Sequence, residues 1–112
     1  MAGPATPLPD VLPDTDTETK TRRQPPYAVI LHNDDVNGMD FVIGVLRTVF
    51  GYELEKCFEL MLEAHEKGRA VVWVGAREVA ELKADQIHSC GPDPAAAPRG
   101  AQPLGVTVEP AA

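Results

Sequence analysis

Residues 27–46 read YAVILHNDDVNGMDFVIGVL and join two apolar segments through a short polar junction. The first segment, Tyr27 to Leu31, is rich in β-branched residues, which predicts a buried strand. The chain turns abruptly polar from His32 to Asp35, and the apolar residues that follow return at helical spacing. We therefore expect a strand that feeds a helix through an acidic junction. Short polar side chains on such a rigid junction are well placed to carry binding groups.

The composition of the rest of the chain indicates one folded domain with a disordered tail. Residues 1–25 are rich in Pro, Thr and Asp and contain few large apolar side chains, so they cannot bury enough surface to offset their ordering entropy. Residues 91–103 are mostly Pro, Ala and Gly, which predicts a flexible loop. We expect the folded domain to span residues 26–110.

The charge balance is acidic, with 17 Asp and Glu against 10 Lys and Arg and a formal net charge of −7. This balance disfavours nucleic acid and anionic membranes as partners and suits a cationic partner or ligand. No apolar run approaches the roughly 20 residues of a membrane span, and the N-terminus lacks the pattern of a secretory signal. We expect Cys57 and Cys90 to be small buried hydrophobes in a reducing cytoplasm, without a disulfide.

Hydrophobic periodicity predicts an α+β domain. Helical spacing and strand-like runs mark three helices and two further strands: helices at residues 38–50, 53–67 and 77–90, and strands at residues 69–74 and 104–110. With the first strand, the order is β-α-α-β-α-β. This order predicts a small three-stranded antiparallel sheet packed on three helices.

The same spacing predicts which helix faces are buried. Asn37 is a favourable N-cap for the first helix. The expected buried stripe of the second helix is Leu54, Cys57, Phe58, Met61, Leu62 and His65. The expected apolar side of the third helix is Val79, Leu82 and Ile87, with Lys83 inside that arc.

Several sequence blocks together resemble the ClpS family. They are Asn33-Asp34-Asp35, Met39 to Val42, Met61 to His65, Gly68 to Ala70, and Arg77 to Glu81 followed by Lys83. The blocks stand in the family's order with nearly gapless spacing. The resemblance covers residues 26–91 and resumes at Pro103-Leu104. ClpS proteins are adaptors that recognise N-degrons and deliver them to the Clp AAA+ protease, so the resemblance implies an adaptor without enzymatic activity.

The resemblance implies a peptide ligand that begins with Phe, Tyr, Trp or Leu and carries a free α-amine. Asn33, Asp34 and His65 match the positions that capture the amine. An amide oxygen, a carboxylate and a neutral imidazole nitrogen are acceptors that suit an ammonium group. Capture of a terminal amine in a polar nest is a recurrent recognition mode.

The family's apolar pocket for the first side chain is matched by Met39, Met61 and Leu104, with Val42 lining the same cavity. Asp35 and Asn37 match positions beside the pocket that contact the ligand backbone.

Two departures from the family pattern bear on the site. Ala64 stands where a larger residue often narrows the pocket, which affects side-chain selectivity. Asn37-Gly38 stands where many members have Thr-Pro, which predicts a looser helix start.

The resemblance also implies partners. Glu78 and Lys83 match positions that dock onto the N-domain of a ClpA- or ClpC-type AAA+ unfoldase, and the N-terminal tail corresponds in placement to the extension that hands over substrates. We expect a monomer with no cofactor and no metal.

Two other classes of function are open from the residues alone. One is an enzyme or metal site built from the following residues: His32, Asp34, Asp35, His65 and His88. No HExxH motif and no nucleophile-base pair supports it. The other is a plain scaffold domain, like the C-terminal domain of the ribosomal stalk protein.

Overall fold

The computed structural model describes residues 24–111, which form a three-stranded antiparallel sheet and three helices. The elements are β1 (Tyr27–His32), α1 (Met39–Phe50), α2 (Leu54–Lys67), β2 (Arg69–Gly75), α3 (Arg77–Ser89), a 3-10 turn (Ala97–Arg99) and β3 (Val106–Pro110). The predicted fold class and the order β-α-α-β-α-β are confirmed. The predicted disordered tail lies outside the described residues, apart from its last two positions.

The apolar strand that opens the quoted stretch lies at the centre of the sheet. β1 pairs antiparallel with β2 on one side and with β3 on the other. Leu31, for example, is opposite Ala70 in β2 and Val106 in β3. The residues from Ala28 to Leu31 are all buried, which explains why this strand is a continuous apolar run.

The helices form two tiers above the sheet. α2 and α3 contact the strands directly, and α1 packs against both of these helices. The core joins the inner face of the sheet to all three helices: Val29, Leu31, Val42, Val45, Leu46, Val49, Cys57, Met61, Ala64, Ala70, Val72, Ala80, Ala84, Ile87, Leu104 and Val106. This packing fixes the ends of β1 and α2 next to each other.

The buried face of α2 differs from the predicted stripe. Leu54 and Phe58 are 56% and 47% exposed, and His65 is exposed. The buried residues are Cys57, Met61 and Ala64. The small side chain of Ala64 contributes little to the hydrophobic pattern of the sequence. The same small size suits the contact between α2 and β2.

The buried face of α3 also differs from the prediction. Val79 is 39% exposed and Leu82 is 53% exposed. The helix instead buries two alanines and Ile87, because small residues allow a close approach to β1 and β3. The expected face is therefore correct only at Ile87.

The two cysteines have different environments. Cys57, on the inner face of α2, is fully buried, and this burial raises the pKa of its thiol. Cys90 is exposed just after α3, so the expectation that both are buried is wrong for Cys90. Both are free thiols.

The segment 91–103 contains local structure. It includes the 3-10 turn and buries Ala96 and Ala101, which are 1% and 7% exposed. We call residues 91–103 the strap, because they run past the start of α1 on the way to β3. No helix within residues 24–111 is long and apolar enough to cross a membrane.

Candidate functional site

A cavity of about 270 Å³ lies where the end of β1, the start of α1, the end of α2 and the strap meet. We call residues 33–38, which connect β1 to α1, the elbow. All ten residues expected at the binding site line this one cavity: Asn33, Asp34, Asp35, Asn37, Met39, Val42, Met61, Ala64, His65 and Leu104. Five further residues complete the lining: Leu31, His32, Val36, Gly38 and Arg99.

The carboxylate of Asp34 organises the elbow. Its Oδ1 accepts the backbone N–H groups of Val36 at 2.8 Å and Asn37 at 2.9 Å. Its Oδ2 accepts a short hydrogen bond from the Asn37 amide Nδ2. A carboxylate offers about four acceptor sites, so one is left for a ligand.

The same contacts control the ionisation of Asp34. Burial alone would raise the pKa of this carboxyl and is the largest single influence on it. The hydrogen bonds from Asn37 and Val36 act in the opposite direction and together hold the pKa below its ordinary value. Asp34 is therefore a carboxylate at neutral pH, as a cationic ligand requires.

Asn37 connects the elbow to the strap. The side chain is 94% buried, being only 6% exposed. Its Nδ2 donates to the Gln102 carbonyl at 2.7 Å, and its Oδ1 accepts the Asp93 backbone N–H at 2.8 Å. Both amide hydrogens are thus used within the protein, on Asp34 and Gln102, and only a spare acceptor on Oδ1 is left to contact a ligand backbone.

The start of α1 is capped from the strap. The expectation that Asn37 is the N-cap is wrong, since Gly38 occupies that position and provides no side-chain cap. Instead, Asp93 Oδ2 accepts the Gly38 backbone N–H at 3.1 Å. A carboxylate at this position also interacts favourably with the N-terminal end of the helix dipole.

Asn33 and His65, the other two residues expected to capture an amine, lie where the elbow contacts the end of α2. The backbone N–H of Asn33 donates to the Gly68 carbonyl at 3.0 Å, just beyond the last turn of α2, which carries His65. The Asn33 Nδ2 donates to Asp35 Oδ1 at 3.3 Å. Within residues 24–111 the Asn33 amide oxygen and the exposed His65 ring have no hydrogen-bond partner, so both are free to accept.

The other end of the cavity is apolar. Val42, Met61, Ala64 and Leu104 are each at least 93% buried and form its inner wall. Met39, the first residue of α1, is 51% exposed at the rim. A polar end and an apolar end therefore share one small cavity.

The sequence left open a metal site built from histidines and carboxylates. Within residues 24–111 no group of three or more His, Cys, Asp or Glu is arranged to hold a metal ion. His32 Nε2 is engaged with Thr107 Oγ1 at 2.8 Å. His88 does not line the cavity.

The two residues expected to dock a partner lie on α3, away from the cavity. Glu78 is exposed in the first turn of α3. It borders a surface groove formed with residues 24–27 and 75–77, where the chain enters β1. Lys83 is half-buried and its Nζ donates to the Val49 carbonyl at 2.9 Å. The two positions are about 140° apart around the helix.

Comparison with known proteins identifies the family. The family model described as ATP-dependent Clp protease adaptor protein ClpS matches residues 22–106. The chain belongs to the ClpS family. The ClpS adapter of Roseobacter denitrificans is 48% identical over 73 residues, which are 65% of this chain and 65% of that protein. The chain thus spans just under two thirds of that relative's length.

Two other ClpS proteins extend the comparison. The adapter of Edwardsiella ictaluri is 51% identical over 75 residues, which are 63% of this chain and 71% of that protein. The structure of Agrobacterium tumefaciens ClpS2 bound to L-phenylalaninamide has 38% identity and a TM-score of 0.68, and covers 79% of this chain and 99% of that one. The ClpS fold is therefore present here over the described domain.

Proposed function

We propose that this chain is an adaptor that binds proteins with a large hydrophobic N-terminal residue and a free α-amine, and delivers them to a Clp AAA+ protease. The preferred first residues are Phe, Tyr, Trp and Leu. The observation that carries the proposal is one cavity lined both by Asn33, Asp34 and His65 and by the apolar residues of its inner wall. Membership of the ClpS family supports the adaptor role.

The polar end suits an α-ammonium group. An ammonium presents three N–H donors and one positive charge. Asp34 supplies a carboxylate with one open acceptor site, and Asn33 and His65 supply acceptors that have no partner within residues 24–111. N-acetylation removes the charge and most of the donors, so an acetylated peptide should not bind.

The apolar end suits one large side chain. The volume of the whole cavity, about 270 Å³, lies just below the roughly 300–1,000 Å³ of pockets that hold drug-sized ligands. The sulfur-containing side chains of Met39 and Met61 can adapt to rings of different shape. The ligand of the Agrobacterium ClpS2 structure, L-phenylalaninamide, combines the same two features, a phenyl side chain and a free α-amine.

Delivery to the protease uses other surfaces. Glu78 is the proposed contact with the N-domain of a ClpA- or ClpC-type unfoldase, and it lies in the groove from which residues 24–26 lead back to the N-terminal tail. Lys83 is proposed to assist at the same interface. Residues 24 and 25, the last two of the tail, line this groove, so we propose that the tail takes part in the transfer of a substrate there.

The proposal is tested by peptide binding with a matched pair of variants. A fluorescent peptide that begins with Phe should bind, and its N-acetylated form should not. Asp34→Asn should weaken binding roughly 10- to 100-fold, as expected for a lost hydrogen bond to a charged group. Asp40→Asn makes the same chemical change at an exposed position outside the cavity and should leave binding unchanged. Equal affinity for free and acetylated peptides would rule out recognition of the amine.

A further inference from the structure

Arg99 introduces a positive charge into an acidic cavity. The charged side chains that line the cavity are Asp34, Asp35 and Arg99, apart from the histidines. A bound α-ammonium would bring the positive charges to two, equal to the negative charges. The occupied site would therefore not repel a further acidic group on the ligand.

The strap holds Arg99 in a defined place. Arg99 ends the 3-10 turn, and the buried residues Ala96 and Ala101 anchor the chain on either side of it. The Arg99 N–H donates to the Ala96 carbonyl at 2.9 Å. Gly100 follows with φ of +88°, a conformation that favours glycine, and reverses the chain. The backbone of Arg99 is therefore held in place, although its side chain is exposed.

The guanidinium lies at the rim beside the elbow. Its Nη2 donates to the Val36 carbonyl at 3.2 Å, and the N–H of the same Val36 donates to Asp34 at 2.8 Å. The guanidinium is therefore at most roughly 10 Å from the Asp34 carboxylate, because one residue of backbone separates the two contacts. The ion pairs within residues 24–111 are Arg69–Glu109 and Arg77–Glu81, so Arg99 retains N–H donors that no carboxylate there uses.

We propose that Arg99 is a specificity residue that favours N-degrons with an acidic side chain at the second or third position. An extended peptide advances about 3.3–3.6 Å per residue. A peptide whose α-amine binds at Asp34 and whose chain runs towards the strap would therefore bring its second and third side chains within reach of Arg99. This inference rests on the proposed function and adds a preference beyond the first residue.

The test compares peptides that begin with Phe and differ only at the second or third position, with Ala, Gln, Glu or Lys there. The parent protein should bind the Glu peptide about two- to fivefold more tightly than the Gln peptide at one of these positions, the range of an exposed ion pair. High salt should reduce this difference, since exposed charges are screened. Arg99→Gln should abolish it, and Arg99→Lys should retain part of it.

The controls separate this inference from the proposed function. Arg47→Gln removes an exposed positive charge on α1 outside the cavity and should preserve the Glu preference. Arg99→Gln should bind the Phe-Ala peptide at least as tightly as the parent does, because it removes a positive charge near the ligand's ammonium group. A Glu preference that is absent from the parent, or that survives in Arg99→Gln, overturns the role of Arg99 while the adaptor function stands. Failure of every free-amine peptide to bind overturns both.

Discussion

Hydrogen bonds at Asn37 and Asp93, which are 56 residues apart in sequence, join the elbow to the strap. The Asn37 side-chain oxygen accepts the Asp93 backbone N–H at 2.8 Å, and the Asp93 carboxylate accepts the N–H of Gly38, next to Asn37, at 3.1 Å. Asn37-Gly38 provides no side-chain cap for the helix start, and a residue from the strap stabilises it instead. The elbow and the strap form one hydrogen-bonded unit.

The first prediction concerns the coupling between Gly38 and Asp93. Gly38 has φ of −72°, which proline can adopt, but proline has no N–H to donate to Asp93. A Cβ at position 38 would also lie 3.0 Å from Asp93 Oδ2. Gly38→Pro should therefore lower the free energy of unfolding by about 1–2 kcal/mol, as does the loss of a helix cap.

The double variant provides the decisive comparison. In an Asp93→Ala background, Gly38→Pro should be neutral or stabilising, because proline restricts the unfolded chain and no carboxylate is left without a partner. Urea unfolding of the parent, both single variants and the double variant measures the coupling. Additive effects of the two substitutions would show that the Gly38–Asp93 hydrogen bond contributes little.

The second prediction concerns acid stability. The folded-state pKa of Asp34 is lowered, so this residue adds stability above the unfolded pKa of about 3.9 and loses that contribution as pH falls through the folded pKa. The free energy of unfolding of Asp34→Asn should therefore fall less steeply below about pH 4 than that of the parent. Glu109, whose pKa is lowered by Arg69, titrates in both proteins and cancels in the comparison. Identical slopes would contradict the role of Asp34 in the elbow.

Local signals predicted the order of elements, whereas the residues of the cavity were predicted from the resemblance of several sequence blocks to the ClpS family. β1 is a continuous apolar run, and the residues matched to amine capture either follow it directly or lie in the last turn of α2. The orientation of α2 and α3 was predicted less well. Their buried faces are set by Ala64, Ala80 and Ala84, whose small side chains give a weak hydrophobic signal.

The role of the strap could not be read from local signals. Asp93 caps a helix that begins far upstream, and no nearby residue predicts this contact. The composition of residues 91–103 suggested only a flexible loop, and Arg99 in it was missed. The buried alanines at positions 96 and 101 show how such a segment can still pack in a fixed place. Small side chains fit against the domain without producing a clear apolar pattern in the sequence.

The third prediction concerns selectivity for the first side chain. Ala64 is 3% exposed and forms part of the inner wall of the cavity. Ala64→Val adds two methyl groups there, so it should weaken binding of a Trp peptide more than that of a Leu peptide. The difference in binding free energy between the Trp and Leu peptides should change by about 1–3 kcal/mol, as expected for such a change of volume. Peptide titration measures it, and an unchanged Trp-to-Leu ratio would place Ala64 outside the contact with the ligand.

The fourth prediction concerns the pH dependence of binding. If His65 accepts a hydrogen bond from the α-ammonium, only its neutral ring can do so, and a protonated ring would repel the ligand. Affinity for a Phe peptide should fall when the pH is lowered from about 8 to about 5, since histidine is the side chain that most readily gains a charge on acidification. His65→Gln keeps an acceptor that does not titrate there and should show a flatter profile. Superimposable profiles would remove His65 from the amine site.

The last prediction separates a structural role of Lys83 from a docking role. Lys83 Nζ donates to the carbonyl of Val49 in the last turn of α1 and lies 5.7 Å from the centroid of the Phe50 ring. The carbonyls at the end of a helix lack partners within it and attract a positive charge, so Lys83 ties α3 to α1. Lys83→Ala should therefore lower the free energy of unfolding by about 1 kcal/mol.

Glu78 provides the contrast, because it is exposed and bonds to no other side chain within residues 24–111. Glu78→Ala should change stability by less than about 0.5 kcal/mol and weaken binding to the unfoldase N-domain. Lys83→Met keeps the apolar stem and removes the charge. If Lys83→Met weakens unfoldase binding while its unfolding curve matches that of the parent, Lys83 contacts the partner directly. If it lowers stability and leaves unfoldase binding intact, the lysine serves the fold and Glu78 alone supports docking.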